Sequence, residues 1–211
     1  MRINLPKIYP ITDRRLSGLS HAEQVRRLAA GGATFVQVRE KHLSPRAFYR
    51  EAEDALRVAR ESGMRLVVND RADIALALGA DGVHLGQDDL PPAAARQLLG
   101  ERAVIGFSTH NEEQAREAIE LPVDYIAIGP IFETSSKEHP DPVVGLEGLR
   151  RVRRIVGQIP LVAIGGVRAE NAREVLTAGA DAVAVISLLL HEPEEIERRA
   201  REISALLDPE S

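Results

Sequence analysis

The stretch RLVVNDRADIALALGADGVHLGQDD, residues 65–89, contains a complete strand–helix–strand unit. Two apolar runs, Leu66–Val68 and Val83–Leu85, are typical of short buried strands. Between them, Ala72–Leu78 predicts a helix that ends at Gly79. This order places the two strands parallel and side by side. Their C-terminal ends then share one edge, where parallel α/β folds carry their sites.

A carboxylate follows each of these strands at the shared edge. Asp70 follows the first strand after Asn69, and Asp89 follows the second after a Gly-Gln-Asp link. Two carboxylates that converge suit a hard divalent cation such as Mg²⁺. Two surface acids that cap loops would fit the spacing equally well, so the spacing alone leaves the metal site open.

The composition of the 211-residue chain limits the classes of protein to consider. Apolar residues make up 44% and aromatic residues 3%, which predicts an aliphatic core like that of parallel sheets buried on both faces. The net charge of −5 and the few aromatic residues give no reason to expect nucleic-acid binding. The chain has no cysteine, which excludes disulfides and a cysteine nucleophile. No signal peptide and no long apolar run is visible, so we expect a cytoplasmic protein that does not contact membranes.

An internal repeat indicates how many strands the fold contains. The segments AGGATFVQV, LGADGVHL, LPVDYIAI and AGADAVAV lead into the second, fourth, sixth and eighth predicted strands, and Asp81, Asp124 and Asp181 recur at one place in three of them. A repeat of two βα units, present four times, predicts a single (β/α)₈ TIM barrel over residues 1–211. An open doubly wound sheet would leave two edges exposed. The repeated Asp lies before its strand, away from the expected site, and is interpreted as structural.

Polar residues also follow the second predicted strand at the site edge. In the run 37–41, alternation places Gln37, Arg39 and Lys41 on one face if the chain stays extended. Cations beside metal-binding carboxylates suit a phosphate-rich ligand bridged by Mg²⁺. A solvated charge cluster is the alternative interpretation.

The later strands are followed by groups that suit anions. Ser108 can donate a hydrogen bond to an anion or cap the next helix. The loop 129–145 is the longest in the chain and carries four adjacent hydrogen-bond donors suited to phosphate oxygens, Thr134, Ser135, Ser136 and Lys137. A mobile polar surface loop is the alternative interpretation. Loops after the seventh and eighth strands of such barrels often bind phosphate through backbone N–H groups, here at Gly165, Gly166, Ile186 and Ser187. Among the histidines, His84 is interpreted as a hydrogen-bonded core residue and His110 as a surface residue.

Taken together, these strand ends resemble the thiamine phosphate synthase family. The matching motifs run from Tyr9 to Ser187 and are YPITD, QVREK, VNDR, DGVHLGQDD, GFSTH, DYIAIGPIFETSSK, VAIGGV and AVIS. The resemblance implies a transferase that joins 4-amino-2-methyl-5-hydroxymethylpyrimidine diphosphate to a thiazole phosphate or its carboxylated precursor. The products would be thiamine phosphate and pyrophosphate, and the partners would be these small molecules alone. A homo-oligomer is left open.

The resemblance also implies a role for individual residues. Asp70 and Asp89 would hold Mg²⁺, while Arg39, Lys41, Ser108 and Lys137 would act on the leaving diphosphate. The pyrimidine diphosphate would contact Gln37, Arg39, Lys41 and Asn69, and the rest of the QVREK motif, Val38 and Glu40, is counted with them. The thiazole phosphate would contact Thr134, Ser135, Ser136, Gly166, Ile186 and Ser187.

Two departures from the family pattern keep other functions under consideration. Glu133 stands where synthases more often have Pro, which resembles the related TenI-type thiazole tautomerases, and Ser136 replaces a commoner Thr. The tautomerase-like relatives lack the metal carboxylates and the cations of the QVREK motif, so the synthase is preferred. A non-catalytic barrel that binds a phosphate ligand is the third hypothesis. The loop 129–145 is expected to be mobile without ligand and to close over both substrates.

Overall fold

Each strand of the barrel pairs in parallel with the next one along the chain, and the eighth pairs with the first, where Ile8 is level with Val183. The computed structural model describes residues 3–134 and 141–207. The strands are β1 (Ile8–Thr12), β2 (Phe35–Val38), β3 (Arg65–Asn69), β4 (Gly82–Leu85), β5 (Val104–Thr109), β6 (Tyr125–Ile128), β7 (Leu161–Ile164) and β8 (Ala182–Val185). The predicted (β/α)₈ barrel is confirmed.

Helices follow the strands and cover the outside of the barrel. Within the described ranges they are α1 (Arg14–Ser17), α2 (His21–Ala30), α3 (Pro45–Glu61), α4 (Ala72–Leu78), α5 (Pro92–Leu99), α6 (Glu112–Ala118), α7 (Gly145–Val156), α8 (Ala169–Thr177), α9 (Ser187–Leu190) and α10 (Ile196–Leu207). A short 3₁₀ turn, Pro193–Glu195, precedes α10. No helix in these ranges is both long enough and apolar enough to cross a membrane.

Local sequence determines where several helices begin and end. The Ser20 and Ser44 side chains accept hydrogen bonds from the backbone N–H groups of Glu23 and Ala47, which caps α2 and α3. Gly79 ends α4 with a φ of 60°, a left-handed conformation that glycine adopts without steric cost. The end at Gly79 was predicted from the residue type alone.

The repeated aspartates join neighbouring strands at the N-terminal end of the barrel. Asp81 Oδ2 accepts a hydrogen bond from the Leu66 N–H at 2.7 Å. Asp124 Oδ2 and Asp181 Oδ2 accept in the same way from Ile105 and Leu161, each at 2.8 Å. Each carboxylate therefore links the residue before one strand to the backbone of the preceding strand, and the structural interpretation is confirmed.

Side chains alternate between the two faces of the closed sheet. Val36 and Val38 belong to the larger apolar core between sheet and helices. Phe35 belongs to the smaller core inside the barrel, together with Tyr9 and Tyr125. Alternate residues of each strand therefore point into the barrel, and those at the C-terminal ends of the strands lie at its open end.

The structure departs from the sequence prediction in a few elements. Helices α1 and α9 were not predicted, because four residues are too few to show a helical period. Strand β8 ends at Val185, so Ile186 caps α9 and is not part of the strand. The last helix, α10, begins at Ile196 directly after the 3₁₀ turn.

Candidate active site

A cavity of about 540 Å³ opens at the C-terminal ends of the strands. Its volume lies in the range of small-molecule sites. The residues that the sequence predicted for the site and that line this cavity are Gln37, Arg39, Lys41, Asn69, Asp70, Asp89, Ser108, Thr134, Gly165, Gly166, Ile186 and Ser187. The structure therefore brings together residues from seven strand ends, although they are spread over most of the chain.

Asp70 and Asp89 meet at one side of the cavity. Asp70 has a φ of 62°, an uncommon left-handed conformation for a residue with a side chain, and its N–H donates to the His84 carbonyl at 2.7 Å. Asp89 Oδ2 accepts from the Gly86 N–H at 2.7 Å. Burial raises the pKa of Asp89, and the adjacent Asp70 carboxylate raises it further. Two acids in contact favour a cation between them.

The oxygen ligands of this pair fit Mg²⁺ with the help of a substrate. The described residues contain no cluster of three or more histidine, cysteine, aspartate or glutamate side chains that could hold a metal alone. Mg²⁺ is commonly held by one or two carboxylates, with water and substrate phosphates as the other ligands. Asp70 and Asp89 satisfy that requirement, so the site suits a metal that arrives with a phosphorylated ligand.

Two cations lie beside the carboxylates. Lys41 Nζ lies 2.5 Å from Asp70 Oδ2, and its side chain is 45% exposed. Arg39 Nη1 lies 3.3 Å from Asp13 Oδ2, a partner on the loop after β1 that the sequence did not reveal. Lys41 and Arg39 both line the cavity, where the ammonium and guanidinium groups can bind anionic oxygens.

Two residues of the QVREK motif do not line the cavity. Val38 points outward into the core between sheet and helices. The Glu40 side chain is 6% exposed, and one of its oxygens accepts from the His42 N–H at 2.8 Å. Burial acts to raise the pKa of Glu40, but hydrogen bonds from backbone N–H groups and nearby His21 lower it below its ordinary value. Glu40 therefore holds the turn that carries Arg39 and Lys41.

Asn69 is a buried polar residue whose side-chain amide nitrogen lacks a hydrogen-bond acceptor among the described residues. It is 6% exposed and ends β3, directly before Asp70. Its Nδ2 atom is buried, with no hydrogen-bond acceptor in the part of the chain that the structure describes. An unsatisfied buried donor is costly, so an acceptor supplied by a ligand in the cavity would stabilise it.

The opposite side of the cavity is formed by the loops after β6, β7 and β8. A Cβ on Gly165 would lie 2.6 Å from Pro130 Cα, and one on Gly166 would lie 2.5 Å from the Glu133 carbonyl oxygen. These glycines therefore allow the β6 loop to pack against the end of β7. Thr134, Ile186 and Ser187 complete this side. The predicted donors Ser135, Ser136 and Lys137, and the centre of the predicted lid, lie outside the described residues.

Several cavity residues were missed or misjudged from the sequence. His110 was expected at the surface, which is wrong: its side chain is 18% exposed, Nδ1 donates to the Gly129 carbonyl at 2.8 Å, and it lies 3.4 Å from Asp141 Oδ2. Tyr9 lines the floor of the cavity. Alternation along β1 could have placed Tyr9 inside, whereas the contact between His110 and the distant Asp141 left no local signal.

His84 is hydrogen-bonded inside the barrel, as the sequence predicted. Its Nδ1 lies 2.9 Å from the Tyr125 hydroxyl and its Nε2 lies 2.9 Å from Ser108 Oγ. It also lines the cavity, so the core and the site share this side chain. Glu133, in contrast, is exposed and is not among the lining residues.

Comparison with known proteins agrees with the motifs at these strand ends. The profile of the thiamine monophosphate synthase family matches residues 8–189. The chain is 45% identical to a thiamine-phosphate synthase of Chloroflexus aurantiacus over 95% of this chain and 92% of the relative. It is 47% identical to that of Koribacter versatilis over 97% of both chains. A solved thiamine phosphate pyrophosphorylase from Pyrococcus furiosus superposes with a TM-score of 0.87 at 39% identity, over 98% of this chain and 97% of the other. The chain therefore belongs to the thiamine monophosphate synthase family.

Proposed function

We propose that this protein is a thiamine phosphate synthase that couples the pyrimidine diphosphate to the thiazole phosphate and releases pyrophosphate. The observation that carries the proposal is the contact between Asp70 and Asp89 in a cavity that also holds Arg39 and Lys41. Such a site suits a diphosphate with a divalent cation. The names of the relatives support the identity of the two heterocycles, which cavity geometry alone does not specify.

The reaction begins when the bond between the pyrimidine methylene and the diphosphate oxygen breaks. The bonding electrons leave with pyrophosphate, and the electron-rich aminopyrimidine stabilises the remaining methylene cation. Asp70 and Asp89 would hold Mg²⁺, which would supply charge neutralisation on the leaving diphosphate. Arg39 and Lys41 stabilise the charge that develops on the leaving group, and Ser108 and Lys137 are assigned as further donors to it.

The second half of the reaction joins the two heterocycles. The thiazole nitrogen attacks the methylene cation, which forms the new carbon–nitrogen bond without a covalent enzyme intermediate. Binding of the thiazole phosphate by Gly166, Ser187 and the 134–136 donors would hold the nitrogen close to the cation. Exclusion of water from the cavity would prevent the competing hydrolysis.

The tautomerase alternative requires a general acid or base, and Glu133 is its candidate. An exposed Glu133 outside the cavity lining does not fit that role. The carboxylate pair of Asp70 and Asp89 does not fit a non-catalytic phosphate-binding protein either, because phosphate binding alone does not require two adjacent carboxylates.

A direct assay distinguishes the three functions. The purified protein is incubated with both heterocyclic phosphates and Mg²⁺, and thiamine phosphate and pyrophosphate are measured together by mass spectrometry and a coupled assay. We expect equal amounts of both products, and none after chelation or when either substrate is left out. Proton exchange on the thiazole without coupling would identify a tautomerase, and ligand binding without any turnover would identify a binding protein.

A further inference from the structure

A chain of buried hydrogen bonds crosses the barrel from one cavity residue to another. Gln37 Nε2 donates to the Tyr9 hydroxyl at 3.0 Å, and the Tyr9 and Tyr125 hydroxyls lie 2.6 Å apart. The Tyr125 hydroxyl lies 2.9 Å from His84 Nδ1, and His84 Nε2 lies 2.9 Å from Ser108 Oγ. The five residues come from five strands, and the functional assignment above uses only the two ends, Gln37 and Ser108.

The first link determines the direction of the chain. An amide nitrogen can only donate, so the Tyr9 oxygen accepts from Gln37 and its own hydrogen is directed to Tyr125. Tyr125 then donates to His84 Nδ1, which makes Nε2 the protonated nitrogen. His84 Nε2–H in turn donates to Ser108 Oγ. This arrangement uses the hydrogens of both tyrosine hydroxyls and of the His84 ring, which matters because an unused buried donor is costly.

The packing around the two tyrosines holds the network in place. Tyr9 is 1% exposed and Tyr125 is fully buried. Burial raises the pKa of both hydroxyl groups, so each stays protonated and able to donate. A Cβ on Gly106 would lie 2.0 Å from Tyr125 Cζ, so the glycine provides the space for the ring. The Tyr125 hydroxyl therefore has one position, between Tyr9 and His84.

We propose that this network is a one-way hydrogen-bond relay that presents an acceptor to ligand at Gln37 and a donor at Ser108, with Tyr9, Tyr125 and His84 as positioning residues. Gln37 uses its nitrogen within the relay, which leaves its Oε1 oxygen for an N–H group of the ligand. Ser108 accepts from His84, which leaves its own hydrogen for an anionic oxygen. A ligand with an amino group at one end and a phosphate oxygen at the other matches this polarity.

The reverse direction would not match such a ligand. It requires the Gln37 amide to turn, so that Ser108 donates to His84 and each later hydroxyl donates towards Gln37. Ser108 would then present only lone pairs to the phosphate, and Gln37 would present N–H groups to the amino group. The assignment of an aminopyrimidine and a diphosphate to the two ends rests on the proposed function, but the direction of the relay in the free protein does not.

The tautomer of His84 tests the relay without any substrate. In protein labelled with ¹⁵N-histidine, long-range ¹H–¹⁵N spectra report which ring nitrogen carries the proton, and His84→Gln identifies the signal. We expect a proton on Nε2 and none on Nδ1. A proton on Nδ1 would overturn the relay, whatever the protein catalyses. A protein with the expected tautomer that forms no thiamine phosphate would instead contradict the proposed function.

Kinetics of tyrosine variants test the relay during turnover. Tyr125→Phe removes the acceptor for Tyr9 and the donor to His84, so we expect about a tenfold higher KM for the pyrimidine diphosphate, equal to the loss of one buried hydrogen bond. KM for the thiazole phosphate should stay within about twofold. Tyr49→Phe is the matched control, because the Tyr49 hydroxyl is exposed and donates to Glu53 on the same helix.

A second variant keeps the test independent of folding. Tyr9→Phe cuts the relay one step earlier and frees the Gln37 amide, so it should raise the same KM and leave the His84 tautomer unchanged. If Tyr125→Phe is unfolded by circular dichroism, Tyr9→Phe decides the result. A KM for the pyrimidine diphosphate within about twofold of the unaltered protein in every folded variant would overturn the relay, as would equal increases for both substrates.

Discussion

The first prediction concerns Asp70, because its backbone conformation determines which substitution tests the metal site. Asp70 combines a φ of 62° with a carboxylate that contacts Asp89. A left-handed conformation costs most residues about 1 kcal/mol, but asparagine tolerates it. Asp70→Asn therefore removes the charge without adding backbone strain, whereas Asp70→Ala changes both.

The expected change in stability for Asp70→Asn is small. Asp70 is paired with Lys41, whose side chain is 45% exposed, and such a pair contributes about 1 kcal/mol at most. Loss of this pair is partly offset, because the substitution also removes the repulsion between Asp70 and Asp89. We expect the free energy of unfolding to change by less than about 1 kcal/mol. A domain that is stable by about 5–15 kcal/mol remains folded after such a change.

The expected change in activity is much larger. Loss of one metal carboxylate removes electrostatic stabilisation of the leaving diphosphate, for which a 100-fold or greater fall in kcat/KM is typical, equal to about 2.7 kcal/mol. Initial rates across a Mg²⁺ titration measure this loss, and urea denaturation measures stability. Asp73→Asn is the control, because Asp73 is an exposed acid on α4 that pairs with Arg71. Near-normal rates in Asp70→Asn with an unchanged Mg²⁺ dependence would refute the assignment of Asp70 to the metal.

Three further predictions test the fold, the cationic turn and the reaction class. Asp124→Ala should lower the free energy of unfolding, measured in urea, by about 2–3 kcal/mol. The loss should exceed that of Asp81→Ala, because Arg96 lies 2.7 Å from Asp124 whereas Arg65 lies 4.0 Å from Asp81. Equal losses would contradict this prediction. Glu40→Gln should raise KM for the pyrimidine diphosphate and change the melting temperature only slightly, since Glu40 holds the turn that carries both cations. An unchanged KM would contradict this prediction. Glu133→Gln should leave thiamine phosphate formation largely intact while Lys137→Ala impairs it, as measured by product formation and by proton exchange on the thiazole; the reverse pattern would favour a tautomerase.

The barrel could be predicted because its signals are local and repeated. Each strand is a short apolar run, and the recurring aspartate marks the same position in three units. Strand ends then follow from the rule that parallel strands finish at one edge, which is how Asp70, Asp89 and Ser108 were assigned to one site. For these residues, position along the chain was enough to predict position in space.

The rest of the site depends on contacts that chain position does not determine. Glu40 was counted with the substrate-binding residues only as part of the QVREK motif. The prediction for Arg39 and Lys41 assumed that the chain stays extended through residue 41, but β2 ends at Val38 and the chain turns. The turn buries the Glu40 carboxylate beneath backbone N–H groups. His110 is partly buried by Asp141, which lies 31 residues further along the chain (141 − 110), in the loop after the next strand. Neither effect is visible in periodicity or composition.

The unit of residues 65–89 shows why stability and chemistry can change independently in this barrel. At the N-terminal end of its strands, Asp81 ties the backbone of β3 to the loop before β4. At the C-terminal end, Asp70 and Asp89 place two acids in contact, and burial together with the Asp70 carboxylate raises the pKa of Asp89. Because the two ends lie on opposite faces of the barrel, substitutions at Asp81 should affect mainly unfolding and those at Asp70 mainly turnover. His84, in the middle of β4, belongs to both the core and the site, so it is the position where this separation should fail.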